Sequence, residues 1–235
     1  GRCLLSNYLS GRDANKGACS HPCRWKYYLM EETRPGEYMP VEENERGTYI
    51  FNSKDLCMLN HIPELVEAGI SSLKIEGRMK TPYYVGTIVK AYRQAIDDYF
   101  KDPEYYKSRI DYYMSEVSKA SHRDFTTGFY FGKPGHDDQV YTNNSYIRDY
   151  DFIGIVLEDR NDDGYAVVMQ RNKFEVGDKI EILPVKGDSM EMTVESMTDE
   201  DGVPVMSAPH PEQILRLKTD LPLKKYDMLR KASKQ

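Results

Sequence analysis

Thr48-Tyr49-Ile50-Phe51-Asn52-Ser53-Lys54-Asp55 and Ser72-Leu73-Lys74-Ile75-Glu76-Gly77-Arg78 decide the fold, because each couples a short β-type run to a helical pattern. Thr48–Phe51 is β-branched and aromatic, and a helix is expected to follow through Ile62 to Ala68, closed by Gly69. Ser72–Glu76 is the second expected strand. Thr81-Pro82 then opens a helix, with Thr as cap and Pro as first helical residue. That helix carries Val85, Ile88, Val89, Tyr92, Ile96 and Tyr99 at spacings of three and four, running to about Phe100. Strand, helix, strand, helix argues for parallel β/α units. Two units cannot close a (β/α)₈ barrel, which needs ~250 residues. The chain opens on Gly1 in what reads as the middle of a fold, so the expectation is the last units of a barrel whose N-terminal half lies upstream.

Outward from this core the texture changes twice. Residues 102 to 150 are Tyr-rich and read as a connector, with a short helix around Glu104 to Lys119 and a loop at Thr126-Thr127-Gly128-Phe129-Tyr130-Phe131-Gly132. From about 151 to 235, short alternating runs appear at Phe152–Leu157, Tyr165–Gln170, Lys179–Leu183, Met190–Ser196 and Val203–Ser207, separated by Gly and Asp turns. Such spacing makes a small antiparallel β-barrel or sandwich. The expected architecture is α/β over residues 1–101, then the connector, then an all-β domain over 151–235.

The chain has 235 residues, 40% hydrophobic and 30% charged, which excludes disorder as its default state. With 32 Lys plus Arg against 38 Asp plus Glu it carries −6, so the whole molecule is no electrostatic nucleic-acid binder. The charge is uneven, however. Arg2, Arg12, Lys16, Arg24 and Lys26 against Asp13 leave +4 in the first thirty residues, ahead of a Glu-rich segment from Glu31 to Glu45. No run has the length of a membrane span and no signal peptide opens the chain, so a cytoplasmic protein is expected.

All four cysteines, at 3, 19, 23 and 57, fall in the first quarter. Cys19 and Cys23, with Cys3 across a Gly- and Arg-rich loop of turn chemistry, have spacings that suit one metal or cluster: iron–sulfur, or zinc completed by His21 or Cys57. The competing reading is reduced thiols packed as small apolar residues, and for Cys57, in Leu56-Cys57-Met58-Leu59, a helix-facing core position is expected. Lys74, Glu76 and Arg78 occupy the C-terminal end of a barrel strand, where such folds carry catalysis. They serve equally well as a structural ion pair. Asn52, Ser53 and Asp55 hold the matching position after the preceding strand; Asn52 and Asp55 are candidate substrate contacts, although Ser or Asp there also caps helices. Trp25, followed by Lys26, Tyr27 and Tyr28, has the composition of a base-stacking site. Gly-x-Ser-x-Gly, His-Glu-x-x-His and phosphate-loop motifs are absent.

Ser10-Gly11-Arg12-Asp13-Ala14-Asn15-Lys16-Gly17-Ala18-Cys19, continuing to Pro22-Cys23-Arg24-Trp25-Lys26-Tyr27, resembles the U-32 peptidase family, usually labelled collagenase-like proteases. The likeness extends through Arg34-Pro35-Gly36-Glu37-Tyr38, Tyr49 to Cys57, Lys74-Ile75-Glu76-Gly77-Arg78-Met79 and Thr127-Gly128-Phe129-Tyr130. Arg171-Asn172-Lys173-Phe174 with Val176-Gly177-Asp178 looks like the family's C-terminal β-barrel. The resemblance implies a TIM-like domain whose first part is not in this chain, then the small barrel. It further implies tRNA modification, namely hydroxylation of the anticodon wobble uridine, or alternatively unconventional peptide cleavage. Cys3, Cys19 and Cys23 would be three of four iron–sulfur ligands. The family's further Cys, just before the position of Cys3, has no counterpart here, so an incomplete cluster site is expected. Arg12, Arg24, Trp25, Asn52 and Asp55 would meet the tRNA partner, and Lys74, Glu76 and Arg78 would act catalytically.

Overall fold

The computed structural model describes residues 4–25, 27–30, 35–36, 39–40, 54–132 and 146–233. The expected strand Thr48–Phe51, together with Cys3, Lys26 and Asn52, lies outside the described residues. By contacts the chain divides into two units: residues 1–81 with 122–147, and residues 82–121 with 148–235.

The first unit opens on helix α1, Leu5–Ser10, where only turn chemistry was expected. Gly11 stops it in the left-handed region at φ 67°, a conformation that a Cβ would strain. Hydroxyls then tie the helix to the Cys loop: Ser6, fully buried, lies 3.1 Å from Ser20 Oγ and accepts the Ser20 N–H at 2.9 Å. Single 3₁₀ turns cover Ala14–Lys16 and Pro22–Arg24. Strands β1 (Tyr28–Leu29) and β2 (Met39–Pro40) pair antiparallel, and β3 (Asp55–Leu56) pairs parallel with β4 (Phe125–Thr126). Helix α2, Ile62–Glu67, ends at Gly69 (φ 74°) as read from sequence, with Leu59, Ile62 and Leu65 buried.

Two expectations are corrected in this unit. Ser72–Glu76 forms no strand; its side chains do alternate, Leu73 and Ile75 half-buried and Lys74 and Glu76 exposed, but no described strand supplies a ladder. Cys57 stands on the loop after β3 rather than on a helix, half-buried, with its N–H donated to the Thr126 carbonyl at 2.9 Å. The described residues thus contain one short parallel pair and no β/α barrel.

The second unit is helical on one side. Helix α3, Pro82–Lys101, buries Tyr83, Thr87, Ile88, Ala91 and Ala95 and leaves Val85, Val89 and Phe100 exposed. Asp102 caps α4 (Pro103–Ser108) by accepting the Glu104 N–H at 3.0 Å, and α5 (Ile110–Ser118) follows. Next come β5 (Tyr150–Glu158), β6 (Tyr165–Gln170), β7 (Phe174–Glu175), β8 (Lys179–Leu183), β9 (Met190–Thr193), β10 (Met197–Thr198), β11 (Pro204–Val205), β12 (Ser207–Ala208), β13 (Ile214–Lys218) and β14 (Met228–Ala232). Eight of them make one curled antiparallel sheet in the order β11-β10-β13-β6-β5-β14-β8-β9, an open half-barrel. Ile153, Val156, Val168, Phe174, Ile182, Leu215, Leu217 and Leu229 fill its concave side. Gly154 is required there, since a Cβ would stand 2.9 Å from Val168 Cγ1 and 3.2 Å from the Met169 carbonyl.

The helices cover part of the convex face. Tyr83 stacks on Phe152 with ring centres 5.3 Å apart, and Met228 lies over Gly86. Beside them is a buried ionic group. Arg230, with no solvent exposure, donates from Nη2 to both Glu116 oxygens and to Glu181 Oε2, all at 2.8 Å. Lys119 bridges the same carboxylates at 2.9 and 2.8 Å, Tyr150 donates to Glu181 at 2.9 Å and Ser189 to Glu116 at 2.8 Å. Burial opposes the ionised form of each carboxylate, yet the cations around them outweigh it and hold both below the usual range.

Candidate functional site

In the first unit the candidate site gathers around Asp55 on β3. Its Oδ1 stands 3.6 Å from Arg24 Nη1, and its Oδ2 accepts the Arg123 N–H at 3.0 Å. The parallel pairing with β4 brings this about, because Asp55 aligns with Phe125 and Arg123 stands two residues before that strand. Arg123 is 4% exposed and donates from Nη2 to Tyr146 at 3.2 Å. Lys80 Nζ sits 3.8 Å from the centre of the Tyr146 ring, and the Arg123 guanidinium 4.7 Å from it. Burial pushes the Lys80 ammonium below its ordinary value. His21 is held down first by burial and then by the positive charge of Arg24, Arg123 and Lys80, so it is neutral at physiological pH.

His21 also links this group to the cysteines. It takes the left-handed region at φ 53°, and from there its N–H donates to Cys19 Sγ at 3.4 Å. Cys19 is half-buried and Cys23, on the following 3₁₀ turn, is exposed. Among the described residues no group of three or more His, Cys, Asp or Glu converges as a metal site. The described chain therefore supplies two of the three expected thiols and not a complete ligand set.

The remaining candidates are placed as follows. Trp25, 37% exposed, donates from Nε1 to the Ser20 carbonyl at 3.2 Å and stacks with Tyr27. Arg12 is exposed on the Cys loop. Arg78 reaches that loop, donating to the Asn15 carbonyl at 3.0 Å, while Glu76 accepts the Arg78 N–H at 2.9 Å. Lys74 is exposed and joins neither contact, so the three-residue ion pair does not form. The structure brings together Arg24 with Asp55 and Arg78 with the Cys loop. Sequence reasoning missed Lys80, Arg123 and Tyr146. The one available signal was His122-Arg123-Asp124 directly before a β-type run; His122 itself is a packing residue, buried and stacked on Phe125. No helix of the described chain is long and apolar enough to cross a membrane.

Residues 1–140 match the model of Peptidase family U32, and residues 148–230 that of the Peptidase family U32 C-terminal domain. The chain is 38% identical over 231 residues to tRNA hydroxylation protein P1 of Bacillus subtilis, covering 98% of the chain and 54% of that protein. It is 32% identical over 133 residues to Collagenase of Porphyromonas gingivalis, covering 57% of the chain and 31% of that protein. A crystal structure of the C-terminal domain of a Geobacillus thermoleovorans U32 peptidase is 38% identical, covering 34% of this chain and 99% of that one, with a TM-score of 0.33. The chain spans about half the length of the curated relatives it matches, such as the tRNA hydroxylation proteins.

Proposed function

The chain belongs to peptidase family U32, and we propose that it is part of a tRNA-modifying member of that family, one that hydroxylates the anticodon wobble uridine. The observation that carries this reading is the placement of Arg24, Lys80 and Arg123 around Asp55, in the same unit as the cysteines and beside the stacked pair Trp25 and Tyr27. A polyanion needs cations positioned to meet its phosphates, and unstacked bases need aromatic faces. A peptide has no general need of either. Relatives named tRNA hydroxylation proteins over nearly the full chain support the same choice.

In this reading Arg12 and Arg24 hold phosphate, the partly exposed Trp25 ring stacks on a base, and Asp55 fixes the direction of the Arg24 fork. Neutral His21 keeps an imidazole, rather than another cation, beside the thiols. An iron–sulfur cluster belongs to the proposal: Cys3, Cys19 and Cys23, with a ligand from outside this chain, would hold it, and such a cluster supplies one-electron chemistry when bound. Lys74, Glu76 and Arg78 are the proposed catalytic group, at the end of the segment that Arg78 ties to the Cys loop.

The test uses the full-length protein. Affinity for tRNA is measured against salt concentration for the wild type and for Arg12→Ala with Arg24→Ala. The double variant should bind more weakly, its salt slope flatter by about one unit per lost phosphate contact. Identical slopes with unchanged affinity overturn the RNA reading and leave the peptidase reading, which the Collagenase relative favours, to be tested by peptide cleavage.

A further inference from the structure

The half-barrel has a second polar surface that none of the above uses. Along β13, Leu215 and Leu217 point into the core, so Arg216 and Lys218 stand on the convex face; along β6, Ala166 and Val168 point in and Tyr165 and Val167 stand out. Register aligns Thr198 with Arg216, Arg216 with Val167, and Val167 with Glu158. One row across four strands therefore reads hydroxyl, guanidinium, isopropyl, carboxylate. Lys218 and Tyr165 face each other in the next row. The turn carrying Asp163 and the turn carrying Gly202 flank these rows, and together they bound a cleft of about 560 Å³. That volume is in the range of small-molecule sites.

The groups in the cleft divide into spent and open. Asp159 is spent: it accepts from Lys224 Nζ at 2.9 Å and the Lys225 N–H at 2.8 Å. Asn161 accepts the Tyr165 N–H at 2.8 Å, and Lys218 Nζ, bonded to the Asp163 carbonyl, covers the Tyr165 ring at 4.7 Å from its centre. Open among the described residues are the Arg216 guanidinium, the Glu158 and Asp163 carboxylates and the Thr198 hydroxyl, with the half-buried Tyr165 also lining the cleft. Strands lie about 4.8 Å apart, so Arg216 and Glu158, separated by β6, stand about 10 Å from one another.

A ligand that satisfies this row is anionic at one end and carries adjacent N–H donors at the other, with a flat apolar middle. A nucleotide has that layout. Guanine alone among the RNA bases presents two neighbouring donors, N1–H and N2–H₂, that a carboxylate accepts together, whereas uracil would turn carbonyl oxygens toward Glu158 and Asp163. We infer that this cleft binds one unstacked guanine nucleotide of an RNA strand, its phosphate on Arg216, its ring on Tyr165 and its donor edge on Glu158 or Asp163. The inference rests on the RNA reading above and adds to it a second, base-selective contact on the half-barrel, separate from the Cys-bearing unit.

Mononucleotide titration of the whole chain, followed by NMR, tests it without requiring catalysis. The expected order is 5′-GMP tightest, 5′-CMP and 5′-AMP weaker, and 5′-UMP weaker than 5′-GMP by about tenfold, the scale of one good base contact. Arg216→Ala should reduce 5′-GMP affinity to that of guanosine. Tyr165→Ala should weaken all bases by about tenfold through lost stacking. Glu158→Gln, at an exposed position that keeps the fold, should narrow the gap between 5′-GMP and 5′-UMP. Equal binding of all four nucleotides, an Arg216→Ala affinity equal to wild type, or displacement of 5′-GMP by an arginine-containing peptide at lower concentration would each overturn the inference. Failure here with the tRNA salt slope of the Arg12 and Arg24 variant as expected leaves the proposed function intact; a flat result in both experiments removes the two together.

Discussion

Two polar clusters, one in each unit, are assembled from the same residue types and differ in access. In the half-barrel unit, Arg230 and Lys119 meet Glu116 and Glu181 at 2.8 to 3.0 Å, with Tyr150 and Ser189 taking further lone pairs, and Arg230 has no exposure at all. Around Asp55 the nearest carboxylate–guanidinium approach is 3.6 Å, and Arg24 and Lys80 are only half-buried. The first cluster is closed to any ligand and can only hold structure. The second buries Arg123 but keeps Arg24 and Lys80 at a surface, where they can meet a phosphate. Charge count alone does not separate a scaffold from a site; solvent access does.

The sharpest way to break that contrast is Arg230→Met. It leaves Glu116 and Glu181 in a buried pocket with Lys119 as their remaining cation, and losing one partner of a buried pair costs about 3–5 kcal/mol. Denaturant unfolding of the chain should show that loss in the second unit. Both carboxylates titrate below their unfolded value, so their contribution is present above about pH 4.5 and disappears as pH falls through the depressed values. In the variant burial is less opposed, the carboxylates titrate nearer to or above their unfolded value, and the stability lost on acidification should be smaller. An unchanged midpoint and acid limb would mean the network holds nothing.

Lys90 gives the next effect. Its ammonium is buried on α3 without a hydrogen-bond partner among the described residues, and burial pushes its pKa down to about 8, with Glu116, Asp188 and Asp227 opposing and Arg230 reinforcing. A lysine whose folded value lies below its unfolded value costs stability wherever both states are protonated. That cost is fully present below about pH 8 and is relieved as pH rises toward 10. Partial solvent access limits it to about 1 kcal/mol. Lys90→Met should therefore raise Tm at pH 7 and flatten the rise in stability between pH 8 and 10.

Asp55→Asn probes the open cluster. The Arg123 N–H keeps an acceptor and only the half-exposed Arg24 pair is lost, so stability should fall by no more than about 1 kcal/mol. Affinity of the full-length protein for tRNA should increase, since a negative charge leaves a group of cations. Weaker binding would mean that the hold of Asp55 on the Arg24 fork, or a contact of its own, outweighs that gain.

These clusters also mark where sequence reading ran out. β6 and β8 were read residue for residue because Tyr165–Gln170 and Lys179–Leu183 show their alternation locally. β13 and β14 were passed over: each carries an arginine, and at Arg230 the charged residue is the buried one, neutralised by Glu116 from a helix 114 positions away. No window of sequence contains that pair. Ser72–Glu76 has the right alternation without a ladder, because hydrogen bonding to a neighbour is not a property of the segment itself. At the candidate site Arg24 and Asp55 were each singled out, but their meeting, and the arrival of Arg123 and Lys80, come from the parallel register of β3 and β4.

The smallest expected effect belongs to Lys74. Its neighbours are committed elsewhere, Glu76 to the Arg78 N–H and Arg78 to the Asn15 carbonyl, and its own side chain is exposed. An exposed lysine with no such role contributes little, so Lys74→Ala should change unfolding stability by less than about 0.5 kcal/mol. That near-silence makes the variant informative. If Lys74 held a structural ion pair, Tm would fall; if it faces substrate in the complete enzyme, Tm stays and tRNA modification by the full-length protein drops. The expected result is the second, and Glu76→Gln serves as its control: it weakens the acceptor of the Arg78 N–H and should lower Tm slightly as well as activity. Full activity in Lys74→Ala at unchanged Tm would remove this lysine from the catalytic group and leave Glu76 and Arg78 to carry it.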